Sequence, residues 1–293
     1  MFFAIKSDLV NPFQPLDSEL KKALERSVIQ ALSEKVEGNP VHQIFMNMDQ
    51  YVEVQIIVDE DCILCGAPWV DSAMAKVSQD GFIQWHVVEG ASVLAGDRIC
   101  TLKGKLSDIL RLKQVILNFL QFLSAIATHT QHYVRLVSDW GARIYHGISA
   151  IPGLEKAQQY AVRVGGGEEY LPAFYKGVYI QKHYVDAMGG VASALKLAFG
   201  MYPQDFVQIE VENLQQLQIA LQCGAKKVSL FQFLLDDIEK AIALSNNQAV
   251  LEVYGGVHLK NVQTIAKMGI GHIVVETLTN DVKAISFSLS CIL

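Results

Sequence analysis

Apolar residues at four-residue spacing, Leu20, Leu24, Val28 and Leu32, follow Asp17 and predict a helix with one buried face, whose first turn Asp17 can cap. From Gln43 to Leu102 the pattern shortens to β-rich runs, YVEVQIIV, GFIQWHVV and DRICTL, broken by Gly and Asp, which predicts a small sheet. Between Ile109 and Val137 apolar residues cover every helical face, the mark of a long helix packed on both sides. Its most apolar run, Val115–Ala127, is too short to span a bilayer and holds Asn118 and Gln121, so a buried helix is expected.

Beyond that helix the chain alternates. Strand-like ARIYH, GVYIQ, FVQIEVE, KVSLF, AVLEVYG and HIVVE are separated by helix-like LEKAQQYAVRV, ASALKLAFG, NLQQLQIALQCG, DDIEKAIALS and LKNVQTIAKMG. The later strands start roughly every twenty residues, the period of βα units. Parallel strands joined by helices are covered on both faces, and six units in a row favour a barrel or open barrel over a flat sheet. The expected class is α/β: an N-terminal α/β sandwich-like domain over 1–112, then an open parallel βα barrel over 113–293, with the extreme C-terminus able to pack back on the first domain.

Composition adds constraints. Apolar residues make up 51% of the 293 and charged residues 18%, which points to apolar surface covered by another subunit, a homodimer or larger homo-oligomer. The net charge of −6 includes no basic run to neutralise a phosphate backbone, so nucleic acid is not expected as a partner. The start MFFAIKSDLVNPF has no apolar core of signal length and is interrupted by Asp8. A soluble cytoplasmic protein with no membrane partner is expected. Of five cysteines only Cys62 and Cys65 are closely spaced, with no histidine pair nearby, which reads as two free thiols in a strand rather than a zinc site.

In a βα barrel the active site forms at the carboxyl ends of the strands. That rule selects His146, Gln181 to Tyr184, Glu210 and Glu212, Phe231 and Gln232, Glu252 with Tyr254, and Glu276 with Thr277. Glu210, Glu252 and Glu276 end three different strands, whereas Lys182 and His183 are almost the only cationic candidates. The carboxylates could work as acid and base, hold a divalent cation, or satisfy neighbouring donors of the protein itself. Glu210 and Glu252 are the stronger ligand-facing candidates, because an unpaired charge inside an apolar strand is costly. Gly255-Gly256, ahead of a helix expected at Leu259–Lys267, could present N–H groups to an anion or simply form a tight turn. His183 could carry a proton or only pack against Tyr184. Lys226-Lys227 reads as solvated surface.

The segments LNFLQFLSAIAT, GARI, PGLEKAQQYAV, GGG, IEVENLQQLQIALQCGA, LEVYGGV and TLT resemble, at matching spacing over roughly the whole chain, the quinolinate phosphoribosyltransferases, or carboxylating nicotinate-nucleotide pyrophosphorylases. The resemblance implies a small α/β domain plus an open α/β barrel. It implies dimers in which one subunit completes the other's site. The reaction it implies joins quinolinate to phosphoribosyl pyrophosphate, with magnesium, and gives nicotinate mononucleotide, carbon dioxide and pyrophosphate. Substrate-binding positions then fall on His146, Ser149, Arg163, Tyr170, Gln181, Glu252, Tyr254, Gly255, Gly256, Glu276 and Thr277. Glu210, Lys182 and His183 become catalytic candidates, and Glu210 the one metal candidate.

Where the family's chemistry lies, this chain departs from it. The partner arginine of the family is Gln114 here, after Lys113. The family's Asp-Thr-Arg-Lys-Thr-Thr loop is His146-Gly147-Ile148-Ser149-Ala150-Ile151, so its two cations are Ile148 and Ser149. A His-Arg pair is Tyr170-Leu171, a Lys-Asp-Asn-His run is Gln181-Lys182-His183-Tyr184, and an Asp-Asn pair is Phe231-Gln232. Ser-Gly-Gly is Tyr254-Gly255-Gly256, and a glycine before Ala-Leu-Thr is Glu276, a carboxylate that would repel a substrate phosphate. Hydrogen bonds to charged groups contribute about 1.5–3 kcal/mol each. Losing five or six such contacts removes on the order of 10 kcal/mol, roughly seven powers of ten in affinity. The family activity is therefore expected to be lost or changed. The alternatives are a mouth that takes a neutral or cationic small molecule, a non-catalytic assembly protein whose old site has filled with Tyr and Phe, or family activity kept through Lys182, His183 and Arg163.

Overall fold

The computed structural model describes residues 16–36, 50–169 and 177–292. In chain order the elements are α1 (Ser18–Val36), β1 (Tyr51–Val58), β2 (Cys62–Ile63), α2 (Ala67–Val77), β3 (Phe82–Trp85), β4 (Ser92–Val93), β5 (Arg98–Lys105), α3 (Leu106–Val137), β6 (Arg143–His146), α4 (Glu155–Val164), β7 (Val178–Ile180), α5 (Lys182–Ala187), α6 (Val191–Phe199), β8 (Val207–Val211), α7 (Leu214–Gln222), β9 (Lys227–Phe231), α8 (Leu235–Ser245), β10 (Val250–Tyr254), α9 (Val262–Lys267), β11 (His272–Val275) and β12 (Phe287–Ile292).

Two compact units result. The first takes residues 1–131, 150–166 and 281–293, the second 132–149 and 167–280. This division differs from a cut between 112 and 113: most of α3, all of α4 and the last strand belong with the amino-terminal sheet.

In the first unit Asp17 Oδ1 accepts the Leu20 N–H at 2.7 Å, and Leu20, Leu24 and Val28 are buried, so the four-residue spacing marks the packed face of α1. An antiparallel sheet runs in the order β12-β1-β5-β3. Along β1, Val54, Ile56 and Val58 are buried while the alternate residues are not, the two-residue period of a half-buried strand. β12 pairs with β1 from Glu53–Ile292 to Val58–Phe287. Cys62 and Cys65 are buried free thiols, Cys62 in β2 and Cys65 two residues past it, and burial pushes the Cys62 thiol up to about 12. The α2 helix has no distinct signal in the periodicity around it. Gly66, at φ 117, provides its turn, and Glu89 accepts the Gly66 and Ala67 N–H groups at 2.7 and 3.0 Å.

By length and composition α3 could cross a membrane, but 61% of its apolar window is buried inside the protein, as in a core helix. Its close neighbour is the end of α4: a Cβ on Gly165 would lie 2.3 Å from the Ala127 carbonyl oxygen, so only glycine fits there.

The second unit is a parallel sheet in the order β6-β11-β10-β9-β8-β7. From β7 to β11 each strand lies beside its predecessor, and β6, the earliest, pairs with the last. That order is a ring of six strands left open between β6 and β7. Two local expectations change. Lys182 and His183 lie in the first turn of α5 and not at a strand end, because β7 stops at Ile180 and extended Gln181 turns the chain into the helix. The helix after Gly255-Gly256 starts at Val262 and not Leu259, since Asn261 binds both the His258 N–H and the Gly256 carbonyl at 2.9 Å and holds the intervening residues as a turn.

Candidate functional site

Side chains alternate across a strand, so Gln208 and Glu210 of β8 share a face, as do Ser229 and Phe231 of β9, and Glu252 and Tyr254 of β10. Hydrogen bonds join these residues across the parallel sheet. Ser229 Oγ donates to Glu252 Oε1 at 2.6 Å, and Gln208 Nε2 donates to the same oxygen at 2.9 Å and to Ser229 Oγ at 2.7 Å. All three residues are buried. Low dielectric strengthens such a network and makes a missing member costly.

Glu210 is held in the same way. Its Oε1 accepts the Tyr179 hydroxyl at 2.6 Å and its Oε2 the Lys182 N–H. Nearer the carboxyl ends of the strands, the Tyr254 hydroxyl donates to Glu276 Oε1 at 2.9 Å. Burial, reinforced by the Glu276 charge, pushes the Tyr254 phenol well above its ordinary value. Tyr254 packs with Val274, Tyr145 and Phe231, and the Phe231 and Tyr254 rings lie 5.5 Å apart. Gly147 lies close to Glu276: a Cβ there would come within 3.2 Å of it, so a side chain at 147 would press on the carboxylate's own backbone.

The remaining sequence-derived positions divide. Lys182 Nζ is 3.1 Å from both Asp186 and Glu212, and bonding to Glu212 and then Asp186 raises its pKa. His183 is exposed with its ring 4.0 Å from that of Tyr184, and Gln181 is half-buried at the start of α5. His146 is buried at the end of β6, its Nδ1 donating to the Gly147 carbonyl. Ile148 and Ser149 are exposed, and the Ser149 carbonyl accepts the Thr279 hydroxyl at 2.9 Å. Thr277 is half-buried in the turn Glu276–Leu278. Gly255 and Gly256 have φ of 79 and 71, and a cavity of about 320 Å³ beside them is lined by Gln232, Leu234, Val253, His258 and Asn261. Arg163 lies exposed on α4 in the first unit, and Tyr170 falls outside the described residues.

Sequence reasoning picked out the carboxylates but missed their partners Tyr179, Gln208 and Ser229. The signal was present: Gln208 stands two residues before Glu210 and so shares its face, and Ser229 is the one polar residue between β9's apolar neighbours. What the sequence lacks is which strand lies beside which.

Magnesium does not fit these residues. Among the described residues no group of three or more His, Cys, Asp and Glu side chains could hold a metal ion. Both oxygens of Glu210 already accept hydrogen bonds from Tyr179 and Lys182, and the neighbouring strand ends in Phe231 and Gln232, which bring no carboxylate. Among the described residues the mouth's charge is anionic: Glu210, Glu252 and Glu276 stand on or after its strands, and Lys182 is already paired with Asp186 and Glu212.

The family model for the C-terminal domain of quinolinate phosphoribosyl transferase matches residues 126–290, and the model for its N-terminal domain matches 41–124. A probable carboxylating nicotinate-nucleotide pyrophosphorylase of Bacillus subtilis is 27% identical over 242 residues, 82% of this chain and 84% of that protein. A decarboxylating quinolinate phosphoribosyltransferase of Nicotiana tabacum is 27% identical over 98% of this chain and 86% of its own length. The solved nicotinate-nucleotide pyrophosphorylase of Francisella tularensis superposes with a TM-score of 0.84 at 30% identity, covering 98% of this chain and all of that one.

Proposed function

The chain belongs to the quinolinate phosphoribosyl transferase family, which works in NAD biosynthesis, and we propose that it is a divergent member that no longer joins quinolinate to phosphoribosyl pyrophosphate. The Tyr254–Glu276 hydrogen bond carries this reading. It puts a carboxylate, fixed at 2.9 Å by a phenol, at the loop pair where the family resemblance implies a serine, glycines and a substrate phosphate. Two anions forced together in a partly buried mouth repel strongly. Lys182, whose N–H bonds Glu210, has its ammonium already paired with Asp186 and Glu212.

Phe231, Tyr254 and Tyr145, packed around Val274, favour a filled mouth and a role in assembly. A second reading, favoured by the half-buried carboxylate of Glu276, is that the mouth takes a neutral or cationic small molecule, with aromatic faces suited to an amine. In either case we take the protein to be a homodimer or larger homo-oligomer, on the strength of its 51% apolar composition.

The deciding assay is formation of nicotinate mononucleotide from quinolinate, phosphoribosyl pyrophosphate and magnesium, run beside an active relative. The expected result is no product above the enzyme-free background. A rate within about tenfold of the relative's, a difference of only about 1.4 kcal/mol, overturns the proposal. A thermal-shift screen separates the two readings. Stabilisation by amines supports the ligand-taking mouth, stabilisation by no small molecule supports the filled one, and stabilisation by quinolinate with phosphoribosyl pyrophosphate contradicts both.

A further inference from the structure

At the opposite end of the barrel, the amino-terminal ends of β9, β10 and β11 surround a cavity of about 500 Å³, within the roughly 300–1,000 Å³ range of ligand sites. Its lining combines Lys226 and His272 with the amides of Asn247 and Gln248 and the apolar side chains of Ile242 and Val250. On a chain of net charge −6 this rim is locally cationic. Lys226 and Lys227 are exposed and make no ion pair among the described residues, and Arg143 is 3.2 Å from Glu168, whose charge also acts on His272.

His272 sits in the middle of these charges. Its ring stacks on Tyr145 at 5.4 Å with the planes 7° apart, its strand neighbours are Glu252 on β10 and Arg143 on β6, and Lys227 stands on β9. Burial, followed by the Arg143 charge, holds the imidazole below its ordinary pKa of 6.5. The cations repel one another here, and nothing described on the protein neutralises Lys226 and Lys227.

We infer that the amino-terminal mouth of the barrel is a binding site for a small organic phosphate, the phosphate set between Lys226 and His272 and the organic part against Ile242 and Val250. Bound phosphate favours the charged imidazole, so His272 takes up a proton on binding, and affinity rises as pH falls through its bound-state pKa toward its free value, which lies below 6.5. This site lies apart from the carboxyl-end mouth and stands or falls independently of any transferase activity.

The test titrates phenyl phosphate, inorganic phosphate and phenol into the full-length protein and follows the His272 ring by NMR. Saturable binding of phenyl phosphate, tighter than that of inorganic phosphate, with a raised His272 pKa and no binding of phenol, is the expected result. Lys226→Glu should weaken binding by about tenfold or more, the loss of one charge-assisted contact. Lys240→Glu, an exposed lysine paired with Asp237 on α8, should leave it unchanged. His272→Gln should remove the pH dependence. A linear titration, equal binding of phenol, or equal losses in the two lysine variants overturns the inference.

Discussion

Replacing Glu89 by alanine should cost at least about 3 kcal/mol of stability. Its carboxylate is buried and accepts the N–H groups of Gly66 and Ala67 at 2.7 and 3.0 Å and the Tyr160 hydroxyl at 3.0 Å. Alanine leaves three donors with no acceptor, at about 1–3 kcal/mol for each unsatisfied group. Two of those donors open α2, whose turn at Gly66 has no side-chain cap of its own. With a urea m-value of about 2–3 kcal/mol/M, the unfolding midpoint should fall by about 1 M or more. Trp69 is a suitable probe, being fully buried with its ring 5.2 Å from that of Tyr160. Tyr160→Phe, which removes one donor together with its bond, should lose only about 1 kcal/mol. The pH dependence has a definite sign. Burial raises the Glu89 pKa above its ordinary 4.5. An acid whose folded pKa is raised adds stability that is complete below the unfolded value and is given up as pH climbs through the folded one. Glu89→Gln should therefore flatten the stability–pH curve above about pH 4.5. A midpoint shift under about 0.3 M for Glu89→Ala at unchanged m would refute this account of the α2 cap.

Other consequences are open to direct measurement. Ser229→Ala should destabilise the protein by about 1–3 kcal/mol in calorimetry, because Glu252 loses its 2.6 Å donor inside the barrel, while Ser229→Thr should recover part of the loss. Gly165→Ala should lower stability by about 1–3 kcal/mol or more, since its Cβ would meet the Ala127 carbonyl at 2.3 Å, and a neutral result would mean that α3 and α4 are not in close contact. With a chromogenic disulfide at pH 8, Cys291 should react in the native protein while Cys62, Cys65 and Cys100 stay silent until urea is added, their thiol pKa values having been pushed up by burial.

The sequence by itself determined most of the local structure. Four-residue spacing located α1, and runs of five or so strand-forming residues between helices located β6 to β11, because side-chain periodicity is a property of consecutive residues. It also determined which residue types stand at the barrel mouth. That Ile148, Ser149 and Glu276 stand where the family resemblance implies two cations and a glycine is legible without any coordinates. Only the tertiary structure decided how those residues are paired. Glu210 finds Tyr179 from 31 positions away, Glu252 finds Ser229 from 23, and Glu276 finds Tyr254 from 22, each through the order of neighbouring strands. The same holds for β12, which joins the first sheet beside β1 although some 230 residues lie between them in the chain, and for Glu89, which reaches across 22 residues to cap α2. Hydrogen bonds and charges act over a few ångströms of space, and distance along the chain does not fix distance in space until the strands have chosen their neighbours.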